Sequence, residues 1–115
     1  MNVYYLAQLL EAKVLCMPKG ENVITGCQAG DLLSHVMANA VSKSVWVTVM
    51  ANKNVPAVAL FGDISCVIIA DGVMPEAEVI DAAQEHGINL LSVSDTMYEV
   101  CVKLDKLLHG NENVK

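Results

Sequence analysis

The sequence predicts a single-domain α/β fold, with a mostly parallel central sheet of four to five strands flanked by helices. Three observations carry that expectation. Two apolar runs rich in β-branched residues, Val45-Trp46-Val47-Thr48-Val49 and Cys66-Val67-Ile68-Ile69-Ala70, show no polar alternation, the pattern of strands covered on both faces. The stretch CVIIADGVMPEAEVIDAAQEHGINLLSV reads as strand, turn, helix and strand, a unit that forms a right-handed parallel crossover in nearly all known cases. Segments at helical spacing lie between the remaining strand-like runs.

Val3, Leu6, Ala7 and Leu10 define one face of a first helix over residues 2–12, which either covers the sheet or reaches a partner subunit. Residues 13–17, KVLCM, predict a first strand ended by Pro18-Lys19-Gly20. Residues 21–26 are expected to hold a short second strand, and Gly26-Cys27-Gln28-Ala29-Gly30 a turn. Asp31 then predicts an N-cap, because its carboxylate can accept from amides two and three residues on. Leu32, Leu33, Val36, Met37, Ala40 and Val41 extend a helix from it.

Residues 44–50, SVWVTVM, form the strongest strand by propensity and are expected at the centre of the sheet. After a polar break, Asn54 is expected to cap a short helix over residues 55–61, with Gly62 after its end. The alternative for VPAVALF is a strand, but parallel neighbours require a crossover there. In the central unit Pro75 is expected at the first helical position, where its missing N–H costs nothing. Glu76 and Glu78 suit the positive end of the helix dipole, and Val79, Ile80, Ala82 and Ala83 face a core. Gly87 followed by Ile88 predicts a left-handed cap, and residues 89–93 a further strand. Thr96 and Glu99 have capping-box spacing before a last helix with Met97, Val100, Cys101, Leu104, Leu107 and Leu108 on its apolar face. Gly110 is expected to end that helix, leaving a frayed tail. The expected organisation is one domain over residues 1–115: a helix to residue 12, a core over 13–108 and a tail over 109–115.

Hydrophobic residues make up 54% of the 115 positions and charged residues 17%, and the mean hydropathy is +0.43. A chain this apolar is expected to bury surface against a second copy of itself, which makes a homodimer the default. No apolar run approaches the about 20 residues of a spanning helix, and MNVYYLAQLLEAK lacks the basic start and cleavage site of a signal peptide. A cytoplasmic protein with no membrane contact is the expectation. The net charge of −6 and the absence of arginine remove the electrostatic basis of nucleic-acid binding. They also exclude a guanidinium clamp on phosphate, although amides at a helix start can still hold one.

The four cysteines, Cys16, Cys27, Cys66 and Cys101, lack metal-site spacing, and they read as small buried hydrophobes in a reducing compartment. A site assembled in space from Cys16, Cys27 and a histidine has no support in the sequence. His35 has no acid, cysteine or serine partner fixed by spacing. There is no phosphate-binding glycine loop with its lysine and hydroxyl, and no G-x-S-x-G elbow. No cofactor, metal or catalytic constellation is expected.

Taken in order, AGDLLSHVMANA, VWVTVM, NVPAVAL, the central unit and SDTMYEVCVKL make a sequence that resembles the DRTGG domain family over about residues 13–108. The resemblance implies an α/β module of regulatory, ligand-binding or dimerising type without catalysis of its own. Family members occur alone, in bacterial and archaeal genomes and sometimes near hydrogenase-like iron–sulfur proteins. Others lie within larger proteins, including pyrophosphatases with CBS domains and phosphotransacetylases. The name-giving pentapeptide is absent, since the corresponding stretch reads MANKNVPAV without an Asp-Arg pair.

Parallel strands ending near Met50, Ala70 and Val93 would gather Asn52, Lys53 and Asn54, Asp71 and Gly72, and Ser94, Asp95 and Thr96 along one edge. Open α/β sheets bind ligands at such an edge, so these eight residues are the candidate ligand site. Each also has a structural reading: Asn54, Asp95 and Thr96 as helix caps, Asp71-Gly72 as a turn. Asp71 and Asp95 could share a cation, which two acids on separate loops support weakly. The expected function is a non-catalytic, homodimeric module that senses a small molecule or nucleotide or contacts a protein partner. A small enzyme or metal-dependent accessory acting through Asp71, Asp95, Lys53 or His35 is the alternative, and a pure assembly subunit the third.

Overall fold

Four strands run the same way in the order in which the chain makes them. In the computed structural model, which describes residues 1–109, β1 (Lys13–Cys16), β2 (Gly26–Ala29), β3 (Ser44–Thr48), β4 (Cys66–Ile69) and β5 (Leu90–Ser92) form one sheet in the order β1-β5-β4-β3-β2. β2 to β5 are parallel to their neighbours, while β1 pairs with β5 antiparallel. Trp46 stands between Gln28 and Val67, and Ile68 between Val47 and Leu91. The sheet is therefore mostly parallel and five-stranded, as the sequence predicts.

Helices α2 (Leu33–Asn39), α3 (Asn54–Phe61) and α4 (Ala77–His86) are the crossovers that link β2 to β5 in turn. Successive right-handed crossovers stepping one way across a sheet must leave their helices on one face. The packing agrees, because Trp46, Val67, Ile69 and Leu90 meet Val36, Val55, Val58, Ala59 and Ala83 in one core. Val45, Val47, Ile68 and Leu91 point the other way, onto α1 (Val3–Leu9) and α5 (Met97–His109) through Val3, Leu6, Val100 and Leu104. Both faces are covered, which is why the strand runs carry no polar alternation. The first helix thus packs on its own sheet.

Two of the expected caps form as predicted. Gly87 takes φ 73°, its amide reaches Gln84 O and the Ile88 amide Ala83 O at 2.8 Å, the paired bonds of a left-handed cap. Thr96 and Glu99 exchange their capping-box bonds at 2.9 and 3.1 Å. Termination at Gly110 and the expected frayed tail lie outside the described residues, and His109 is the last described residue of α5.

Four local readings are corrected. The second strand is Gly26–Ala29, the stretch read as a turn, while Val23 makes only an isolated bridge to Asn2. Pairing with β3 overrides the poor strand propensity of Gly-Cys-Gln-Ala. α2 starts at Leu33 with no side-chain cap, because the Asp31 carboxylate is drawn instead to Thr48 and Val49. Asn54 is the first residue of α3, and Asn52 Oδ1 accepts from its amide at 2.9 Å. Pro75 stands before the extended Glu76 N-cap, buried rather than inside α4.

Candidate functional site

The carboxyl ends of β2 to β5 share one edge, and each loop there leads into a helix. At β3 the chain passes through Asn52 and Lys53 into α3; at β4 it passes through Asp71 to Glu76 into α4; at β5 it passes through Ser94 to Thr96 into α5. α4 lies on one face of the sheet and α5 on the other, so the chain diverges between the ends of β4 and β5. Diverging connections of this kind open ligand crevices in α/β sheets.

Here the divergence is bridged by main chain. Asp71 and Gly72 both adopt left-handed backbone, φ 60° and 68°, which turns their amides towards the neighbouring loop. The Asp71 amide donates to Asp95 O at 2.8 Å and the Gly72 amide to Val93 O at 2.9 Å. The Asp95 carboxylate accepts from Lys103 Nζ at 2.6 Å, a contact that raises the proton affinity of the lysine above its ordinary value. Asp95 therefore serves its own helix, and Asp71 joins it through backbone.

The open volume lies one strand over. A cleft of about 440 Å³ separates the β3–α3 loop from the β4–α4 loop, with Asn52 and Lys53 on one wall and Met74, Pro75, Glu76 and Glu78 on the other. Lys53 is exposed and forms no ion pair among the described residues. The cleft offers an ammonium and two carboxylates beside an apolar thioether and ring, a mixture suited to holding a polar small molecule by its edges.

Of the eight residues gathered by the sequence, Asn52 and Lys53 line this cleft. Asp71, Gly72 and Asp95 meet at the bridged junction. Asn54 and Thr96 begin helices, and Ser94 is an exposed loop residue. The second wall, Met74 to Glu78, was missed because Glu76 and Glu78 read as dipole partners of α4. The adjacency of β3 and β4 is the signal that would have found it.

His35 lies on the exposed side of α2, where Asn39 Nδ2 donates to its carbonyl at 2.9 Å and sits 3.4 Å from its ring. Cys16 and Cys66 are buried, as expected of small hydrophobes, and Cys16 Sγ donates to Ile88 O at 3.2 Å. Cys27 is exposed and Cys101 half-buried, unlike that expectation. β1 and β2 are the two opposite edges of the sheet, which keeps Cys16 away from Cys27 and removes the site imagined from both. Among the described residues no group of three or more His, Cys, Asp or Glu could hold a metal ion, and no helix is long and apolar enough to cross a membrane.

No family model matches the sequence, and no match was found among curated proteins. Among solved structures, the chain is similar to the CBS and DRTGG domains of the regulatory region of Clostridium perfringens pyrophosphatase, complexed with the activator diadenosine tetraphosphate. The TM-score is 0.68 at 11% identity, over 90% of this chain and 47% of that one. This chain thus spans about half the length of that structure, 47%. At such identity the likeness is one of architecture: the fold is DRTGG-like.

Proposed function

We propose that the chain is a non-catalytic regulatory module, a single DRTGG-like domain over residues 1–115, that homodimerises in the cytoplasm and senses a small ligand. The observation that carries this reading is the cleft beside Asn52 and Lys53 at the carboxyl edge of the sheet. The fold it shares with a regulatory region bound to a dinucleoside polyphosphate supports a nucleotide-like ligand. Asp71, Gly72, Ser94, Asp95 and Thr96 form the neighbouring rim, and Asn54 begins α3 at the same edge. Exposed apolar side chains, among them Leu32, Phe61 and Tyr98 at 68, 73 and 78% exposure, support burial against a second copy.

Thermal-shift measurements with nucleotides, dinucleoside polyphosphates, acyl-phosphates and divalent metals test the ligand. One that binds only the folded chain adds about 2.7 kcal/mol of stability at a hundredfold excess over its Kd. The shift is expected to shrink in Lys53→Ala. If no compound moves the midpoint, assembly alone remains; if one is turned over, the enzyme reading replaces this one. Light scattering at micromolar concentration showing only a 12.3 kDa species removes the dimer.

A further inference from the structure

The fold brings together Cys27 and Cys101, which stand in different layers of the molecule. Cys27 lies on β2, an outer strand of the sheet, and Cys101 on α5, which packs across β2 and β3. Both line one cleft of about 270 Å³, together with Gln28, Asp105 and His109. The two thiols are neighbours in the chemical sense as well. Although Cys27 is exposed as a residue, loss of water around its sulfur and then the neighbouring Cys101 push its thiol up to about 12, and burial raises Cys101 as well. In Cys101 the neighbouring Cys27 works against burial and lowers the thiol in part. Cys16 and Cys66, by contrast, are sealed in the two cores.

We propose that Cys27 and Cys101 are a dithiol site, oxidised by a low-molecular-weight disulfide to an internal bridge that ties the edge strand β2 to α5. The bridge lies beyond the ligand reading, at another place on the molecule. Cys101 is the attacking group, because the neighbouring Cys27 offsets part of the burial that raises its thiol, whereas Cys101 adds to the burial that raises Cys27. Its sulfur attacks one sulfur of R–S–S–R, so the mixed disulfide Cys101–S–S–R forms and RS⁻ leaves to take up a proton. Cys27 then gives its proton to solvent and attacks Cys101 Sγ; the bond to R breaks and a second RS⁻ is released and protonated. Two protein thiols lose two electrons and two protons, and the small disulfide becomes two thiols. The bridge encloses β3, β4 and β5 with their three crossover helices, so it constrains most of the parallel sheet.

The test uses the folded chain of residues 1–115 with excess oxidised glutathione at about pH 7 and about pH 9, read by non-reducing mass spectrometry and peptide mapping. Because both thiols are raised, oxidation is expected to be slow at neutral pH and to quicken by roughly tenfold per pH unit. Asp105 and His109 are the other titratable groups lining the cleft. The expected product has lost two of the four free thiols, yields a Cys27–Cys101 cross-linked peptide and is reversed by dithiothreitol. Cys27→Ser should accumulate a glutathione adduct on Cys101, and Cys101→Ser should form no internal bridge. The proposal is overturned if the native fold, checked by circular dichroism, keeps all four thiols. Bridges between chains or through Cys16 or Cys66 overturn it too, as does Cys27→Ser without an adduct on Cys101.

Discussion

Asn89 Oδ1 accepts from the Lys19 amide at 2.9 Å while Asn89 Nδ2 donates to the Lys19 carbonyl at 2.8 Å, so a side chain pairs with a backbone as a neighbouring strand would. Nδ2 also donates to Ser65 O at 2.8 Å, and the residue is 1% exposed. Asn89 thereby fixes the β1–β2 connection to the entries of β4 and β5. Asn89→Ala is expected to cost about 3 kcal/mol, since it removes three hydrogen bonds made by one buried side chain. Urea unfolding checks this, with a lower midpoint and an unchanged slope.

Asp31 Oδ1 accepts from Thr48 Oγ1 at 2.7 Å and from the Val49 amide at 2.9 Å, clamping the loop after β2 to the end of β3. Asp31→Ala is expected to destabilise by about 2 kcal/mol, as a charge-assisted pair of bonds is lost. In a cycle with Thr48→Val the loss of the double variant should fall short of the sum of the two single losses. Additive losses would mean that the clamp contributes nothing as a unit.

Gly87 holds φ 73°, and a Cβ there would sit 3.0 Å from Lys19 Cε. The lysine stem is flexible and can give, so the backbone strain decides the outcome. Gly87→Ala is expected to lower stability by about 1 kcal/mol and Gly87→Asn by less, measured by thermal unfolding.

The Asp63 carboxyl lies below its ordinary range, first through the Ser42 hydroxyl that donates to it and then through Lys43 at 3.3 Å. A folded value below the unfolded one means that Asp63 stabilises the fold above the unfolded value of about 3.9. That contribution fades as the pH falls through the lowered folded value. The group is exposed, so solvent screening keeps the effect small. Ser42→Ala is expected to move the Asp63 midpoint back up, read by carboxyl-carbon NMR titration; an unmoved midpoint would remove the hydroxyl as the cause.

Two caps set by residues close in the chain were legible. The Gly87–Ile88 cap and the Thr96–Glu99 box depend on residues within five positions of each other, and they form as the spacing implies. Features that depend on a distant partner were not. Gly26–Ala29 is a strand because β3 lies beside it, and Asp31 leaves its helix because Thr48 and Val49 offer it two donors. The candidate site divides the same way: the sequence brings the loops to one edge, but which loops face each other follows from strand order.

The sequence by itself determined the alternation of strands and helices, the parallel direction of β3, β4 and β5, and a sheet covered on both faces, since apolar spacing and crossover handedness are local constraints. Only the tertiary structure decided that β1 returns antiparallel beside β5, that Asp71 and Gly72 bridge to the β5 loop, that the cleft opens beside Lys53, and that Cys27 and Cys101 line one cleft. Each of these rests on which elements become neighbours, and that is settled by how whole faces pack together.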